Sequence, residues 1–189
     1  MFNIAVMVSG SGSNLQTIID KANEGEIKGR VALVISDKAD AYALKRAKDN
    51  YIPSYYIKND IEKTLETLEE HKIDLIVLAG YLSILPPEII KEYQGRIINI
   101  HPSLIPKYCG KGFYGAFVHQ AVIAAGEKES GATVHFVDRG IDTGSVILQE
   151  KVTVEAEDTA QTLQKKVLEV EHKLLPKAIN LVLESMMEE

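Results

Sequence analysis

The stretch Asn3-Ile4-Ala5-Val6-Met7-Val8-Ser9-Gly10-Ser11-Gly12-Ser13-Asn14-Leu15 decides how the rest of the chain is read. Asn3–Val8 is a short, nearly all-apolar run, the composition of a strand buried on both faces. Ser9-Gly10-Ser11-Gly12-Ser13-Asn14 is a turn, and Leu15, Ile18, Ile19 and Ala22 then share one face at helical spacing. A buried strand, a glycine turn and an amphipathic helix form the opening of a βαβ unit.

The same alternation recurs along the chain. Strands are expected at Arg30–Ile35, Ser54–Ile57, Leu75–Ala79 and Ile97–His101, with helices at Ala41–Lys48, Asp60–His71 and Pro87–Tyr93 between them. Pro102 stops the last of these strands abruptly. A loop rich in Gly, Pro and Tyr runs through Gly115 and leads into a helix over Ala116–Ala125. Ala132–Val137 and Val146–Val154, joined by the turn Asp138–Gly144, read as an antiparallel pair. A long helix over Thr159–Met187 closes the chain, with an interruption expected at Pro176. The fold class is therefore α/β: a doubly wound, mostly parallel sheet with an antiparallel C-terminal strand pair and a long C-terminal helix. No repeat or linker divides residues 1–189, so one domain is expected.

Composition narrows the function. With 46% hydrophobic and 25% charged residues, the 189-residue chain is that of an ordinary globular protein. Lysine and arginine number 21 against 27 acidic residues, a net charge of −6, opposite in sign to the basic footprint that a phosphate backbone needs. Nucleic acid is not expected as a partner. A single cysteine, Cys109, forms no internal disulfide, and the chain opens on a strand-like run without a basic leader, so a cytoplasmic location is expected. No apolar stretch approaches the ~20 residues that cross a bilayer, so no membrane association is expected.

The glycine turn admits three readings, because glycines let backbone amides approach an anion at a helix N-terminus. A nucleotide P-loop requires Gly-Lys-Ser/Thr at its end, which is absent. A dinucleotide site requires a third glycine where Leu15 stands, although Asp37 lies about where a ribose-binding acid would be. A single phosphate cradled by Gly12, Ser13 and Asn14 needs neither. A plain tight turn capped by Ser13 or Asn14 would also account for the sequence.

Strand alternation puts Asn99 and His101 on one face of Ile97–His101, with Ile98 and Ile100 on the other. That face of a covered parallel sheet should be apolar, and an unpartnered buried amide or imidazole costs about 1–3 kcal/mol. The pair also stands at a strand's C-terminal end, where open α/β sheets bind ligands. Asp142, in the loop after the next strand, is placed to reach His101, hold it as an imidazolium and so assist a developing oxyanion. Asp138 reads as a turn former, His135 as a packed strand residue, and Cys109 lacks an activating neighbour. His71, His119 and His172 have no metal-type spacing, so no metal is expected.

Three motifs together carry a resemblance: Gly10-Ser11-Gly12-Ser13-Asn14-Leu15-Gln16, Asn99-Ile100-His101-Pro102-Ser103-Leu104-Ile105-Pro106, and Val134–Asp138 followed by Asp142-Thr143-Gly144. The chain resembles the folate-dependent formyltransferases nearly end to end. The His-Pro-Ser-Leu-x-Pro segment is shared across the group, whereas the Gly-Ser-Gly-Ser-Asn turn is particular to the glycinamide ribonucleotide branch.

The resemblance implies a Rossmann-like formyltransferase fold and two small-molecule substrates, glycinamide ribonucleotide and the co-substrate 10-formyltetrahydrofolate. It assigns Asn99, His101 and Asp142 to catalysis, and Gly12, Ser13, Asn14 and Glu171 to the ribonucleotide, the glutamate meeting its ribose. The folate would lie along Leu82, Ser83, Ile84 and Leu85, Asn99, and the loop Asp138, Arg139, Gly140, Ile141 and Asp142. A basic residue near the folate is implied as well, for which Lys58 and Lys63 both qualify. The group often has arginine where Ser83 stands, and the loop Lys107–Gly115 is richer in glycine and tyrosine than in many relatives. The oligomeric state stays open between monomer and homodimer.

Overall fold

The computed structural model describes residues 1–188. Seven strands form one sheet in the order β3-β2-β1-β4-β5-β6-β7: β1 Phe2–Val8, β2 Gly29–Ser36, β3 Ser54–Tyr56, β4 Leu75–Leu78, β5 Ile97–His101, β6 Glu129–Phe136 and β7 Val146–Thr153. Strands β1 to β5 pair in parallel, and β6 runs antiparallel to both β5 and β7. The doubly wound, mostly parallel reading therefore stands, down to the antiparallel C-terminal pair.

Alternation along the strands builds two cores. On one side Ile4, Val6 and Val8 of β1 and Ile98 and Ile100 of β5 pack with α1 (Ser13–Asn23), α2 (Tyr42–Asp49), α5 (Ala116–Ala124) and α6 (Ala160–Glu188). On the other, Ala5 and Met7 of β1 and Ile97 of β5 meet Leu68 of α3 (Ile61–Glu70) and Ile89 of α4 (Pro87–Glu92). The chain reverses its winding between β1 and β4, so the loops after these strands flank a crevice at their carboxyl ends. Ser9 seals the two loops together: its N–H donates to the Gly80 carbonyl at 3.0 Å and its hydroxyl accepts from Leu82 N–H at 2.8 Å.

Two local expectations are corrected. Helix α6 runs unbroken past Pro176. Proline inside a helix costs about 3 kcal/mol, but Leu174, Leu175, Ala178, Ile179, Val182 and Leu183 are all buried on the core side, and that apolar face outweighs the loss. Strand β6 starts at Glu129 rather than Ala132, because Glu129, Ser130 and Gly131 find ladder partners in Thr153, Val152 and Lys151 of β7.

Candidate active site

Helix α1 begins on Gly12, whose backbone is left-handed at φ 71°. Neither Ser13 nor Asn14 caps it; no side chain does. The plain capped turn is thereby excluded, and the helix's first N–H groups remain open to an anion. Asn14 is instead buried, and its side-chain N–H donates to Glu171 Oε2 at 2.8 Å, joining the first helix to the last. Burial pushes the Glu171 carboxyl up to about 7, against the opposing pull of Asn14. Asp37 is also taken up inside the protein, accepting from the Ser83 hydroxyl at 2.6 Å.

Next to this turn, a cleft of about 290 Å³ is lined by Leu82, Ser83, Ile84 and Leu85 after β4, by Asn99 and His101 of β5, and by Asp138, Gly140, Ile141 and Asp142 after β6. Leu82, Ile84 and Ile141 are 52%, 74% and 38% exposed, large apolar side chains left open at its wall. Arg139 is exposed and is not among the residues that line it. Lys58 shares a neighbouring pocket with Leu82 and Ser83, whereas Lys63 does not. Gly12, Ser13, Asn14 and Glu171 do not line the cleft; they form a separate group beside it.

At the floor, register settles the geometry. Antiparallel pairing sets Asn99 opposite His135 and His101 opposite Thr133, so the β5 pair gains a histidine from β6. Asn99 Nδ2 lies 3.1 Å from His135 Nε2 and 3.5 Å from Asp142 Oδ1. His135 Nδ1 sits 2.8 Å from the Phe136 carbonyl, which only accepts, so that nitrogen carries the proton and Nε2 accepts from Asn99. His101 Nε2 likewise donates to the Tyr108 carbonyl at 2.9 Å, leaving Nδ1 facing Asp142 Oδ2 at 3.6 Å. Asp142, with φ 57°, also accepts from the Gly110 N–H at 2.9 Å.

The electrostatics correct one expectation. Burial drives the His101 pKa below its ordinary value of 6.5, and the attraction of Asp142 does not make up the difference. His101 is thus a neutral imidazole near pH 7, not the imidazolium expected from its neighbour. For Asp142 burial acts upward, but its hydrogen-bond and charge partners, the Gly110 N–H among them, hold the carboxyl below its ordinary range. Burial, seconded by Asp142, raises the Cys109 thiol, which stays protonated and inert.

Sequence reasoning brought together Asn99, His101 and Asp142, and missed His135, the Tyr108 carbonyl and the Gly110 N–H. His135 alternates with Val134 and Phe136 and so reads as packing; the signal that exposes it is its place opposite Asn99. Among the described residues no set of three His, Cys, Asp or Glu side chains is arranged to hold a metal, and no helix is long and apolar enough to cross a membrane.

A doubly wound sheet with an asparagine, a histidine and an aspartate at the floor of a cleft by its switch point defines the class, and the sequence agrees: residues 2–179 match the formyl transferase family, and the chain belongs to it. Among its relatives within that family are phosphoribosylglycinamide formyltransferases. The enzyme of that name from Haemophilus influenzae is 43% identical over 187 residues, 95% of this chain and 86% of the relative. A trifunctional purine biosynthetic protein from Drosophila melanogaster is 41% identical over 187 residues, covering 93% of this chain and 13% of that longer protein. The crystal structure of glycinamide ribonucleotide transformylase 1 from Symbiobacterium toebii superposes with a TM-score of 0.91 at 39% identity, covering 98% of this chain and 89% of the other.

Proposed function

We propose that the chain, as one formyltransferase domain, transfers the formyl group of 10-formyltetrahydrofolate to the amine of 5′-phosphoribosylglycinamide, a step of purine (IMP) biosynthesis. The observation that carries this reading is the cluster of Asn99, His101 and Asp142 beneath an apolar-walled cleft in a member of the formyl transferase family. The open walls of Leu82, Ile84 and Ile141 suit the flat ring system of a folate, and the uncapped turn of Gly12, Ser13 and Asn14 suits the ribonucleotide phosphate, with Glu171 beside it for the ribose.

In the proposed reaction the glycinamide amine attacks the formyl carbon on N10 of the folate, giving a tetrahedral intermediate whose oxygen is negative and whose new C–N bond carries an ammonium. Asn99 spends one Nδ2 hydrogen on His135. The other, whose 3.5 Å reach to Asp142 is long for a hydrogen bond, is free to donate to the oxyanion. Such a donor is worth about 10²–10³-fold. His101 enters neutral and takes the ammonium proton at Nδ1, since Nε2 is held by Tyr108. Asp142, 3.6 Å away, stabilises the imidazolium so formed, which adds to oxyanion stabilisation and then returns the proton to N10 as the C–N10 bond breaks. Proton transfer of this kind contributes roughly 10²–10⁴-fold. Neither a covalent enzyme intermediate nor a metal is needed, so both substrates are bound together. The protein is proposed to work in the cytoplasm, as a monomer or homodimer.

The decisive measurement follows deformylation of 10-formyltetrahydrofolate by absorbance, with and without the ribonucleotide. Turnover that requires the ribonucleotide and yields its formyl product is expected. Formate release without it would replace the transferase by a hydrolase.

A further inference from the structure

We infer that Arg46, on α2, is a positioning residue that turns the amides of the Gly10–Ser13 segment toward the phosphate of the ribonucleotide. This rests on the phosphate reading of that turn.

Three consecutive peptides of the turn have their carbonyls occupied. The Gly10 carbonyl accepts from Ala43 N–H at 3.1 Å, the Ser11 carbonyl from Arg46 Nε at 2.8 Å, and the Gly12 carbonyl from Gln16 N–H at 2.9 Å. In a trans peptide the N–H points opposite to the C=O. Both donors to Gly10 and Ser11 belong to α2, so the N–H groups of Ser11 and Gly12 face away from α2, and neither has an acceptor among the described residues. Two adjacent amides aimed the same way beside an uncapped helix start make an anion cradle, provided the peptides cannot flip.

Arg46 is the side chain that prevents the flip. Its Nη1 donates to Gln16 Oε1 at 3.3 Å, tying it to the first turn of α1, and its guanidinium lies 5.0 Å from the centroid of the Tyr42 ring. The close seating of the turn on α2 leaves no slack, since a Cβ on Gly12 would come 2.7 Å from Ala43 Cβ. No carboxylate pairs with Arg46 among the described residues, so its positive charge remains to act on an anion at the turn. A lysine would keep that charge and lose the fork that reaches Ser11 and Gln16 together.

The test compares Arg46→Gln, Arg46→Lys and, as a neighbouring-charge control, Lys45→Gln, reading kcat, KM for each substrate and the inhibition constant of inorganic phosphate. Arg46→Gln is expected to raise the ribonucleotide KM and the phosphate constant about 10–100-fold, the range for hydrogen bonds to a charged group, with kcat and the folate KM within about threefold of wild type. Arg46→Lys should recover part of the loss, and Lys45→Gln should behave as wild type. A wild-type ribonucleotide KM in Arg46→Lys overturns the clamp even if Arg46→Gln does not fold. If Ser13→Asp raises that KM while both Arg46 variants leave it alone, Arg46 is dismissed and the phosphate site stands; if Ser13→Asp is silent too, both ideas go.

Discussion

His101 Nδ1 and Asp142 Oδ2 lie 3.6 Å apart with both side chains largely buried, too far for a hydrogen bond and close enough for each to set the other's charge. Since burial keeps His101 below its ordinary pKa and Asp142 pulls the other way, the neutral base is the working form and acid should switch it off. The acid limb of kcat, read with both substrates saturating, is therefore expected below pH 6.5, the ordinary histidine value. Asp142→Asn removes the upward pull, so its residual activity, about 10²–10⁴-fold reduced, should show that limb at still lower pH. A limb that moves to higher pH in this variant would reverse the assignment.

His135 supplies the second prediction. Its Nε2 is the acceptor for Asn99 and stands 3.5 Å from Asp142 Oδ1, at 2% exposure. Replacement by alanine leaves the Asn99 amide free to rotate, and kcat should fall about 10–100-fold with smaller changes in KM. Asn99→Ala and Asn99→Ala/His135→Ala should then be nearly equal in kcat, because His135 acts through Asn99. Multiplicative losses would give His135 an independent role.

These two histidines mark the boundary of what the sequence discloses. Asn99 and His101 stand out because polar residues violate the apolar pattern of a covered strand, and Asp142 because it follows a strand end. His135 violates the pattern equally, yet β6 is half polar from Glu129 to Thr133, and only its antiparallel register with β5 turns His135 into a partner. The Tyr108 carbonyl and Gly110 N–H are backbone groups, identical in every residue, so a sequence carries no sign of them. The alternation of strands and helices was legible because burial on both faces demands apolar runs. The continuity of α6 through Pro176 was not, because local propensity says break and only packing against the sheet decides otherwise.

Gly12 offers a test of the turn that does not pass through charge. At φ 71° an added methyl is strained, and it would also meet Ala43 Cβ at 2.7 Å. Gly12→Ala should cost about 1–3 kcal/mol, or roughly 2–12 °C in Tm for a chain of this size, and raise the ribonucleotide KM as the amides tilt. Thermal unfolding and steady-state kinetics read both effects. A variant with unchanged Tm would mean that the turn has more freedom than its contacts with α2 indicate.

If Glu171 serves the proposed ribonucleotide site, it should make that site sensitive to pH. Burial raises its carboxyl to about 7 against an ordinary 4.5, so the folded chain holds this proton more tightly than the unfolded one. Stability therefore declines as pH rises from about 4.5 to about 7, and Glu171→Gln should gain Tm relative to wild type at about pH 8 but not at about pH 4. Binding runs the opposite way. On the proposed reading the carboxylate accepts from ribose hydroxyls and from Asn14 more strongly than the protonated carboxyl does, so the ribonucleotide KM of the wild type should climb as pH falls below about 7, by up to tenfold per unit. The substrate phosphate, with its second ionisation near 6, adds its own weakening in acid, but Glu171→Gln retains that part and lacks the carboxylate. The ratio of wild-type to Glu171→Gln KM should therefore rise on acidification between about pH 8 and about pH 6. A ratio constant across that range would show that Glu171 does not exchange its proton on ribonucleotide binding.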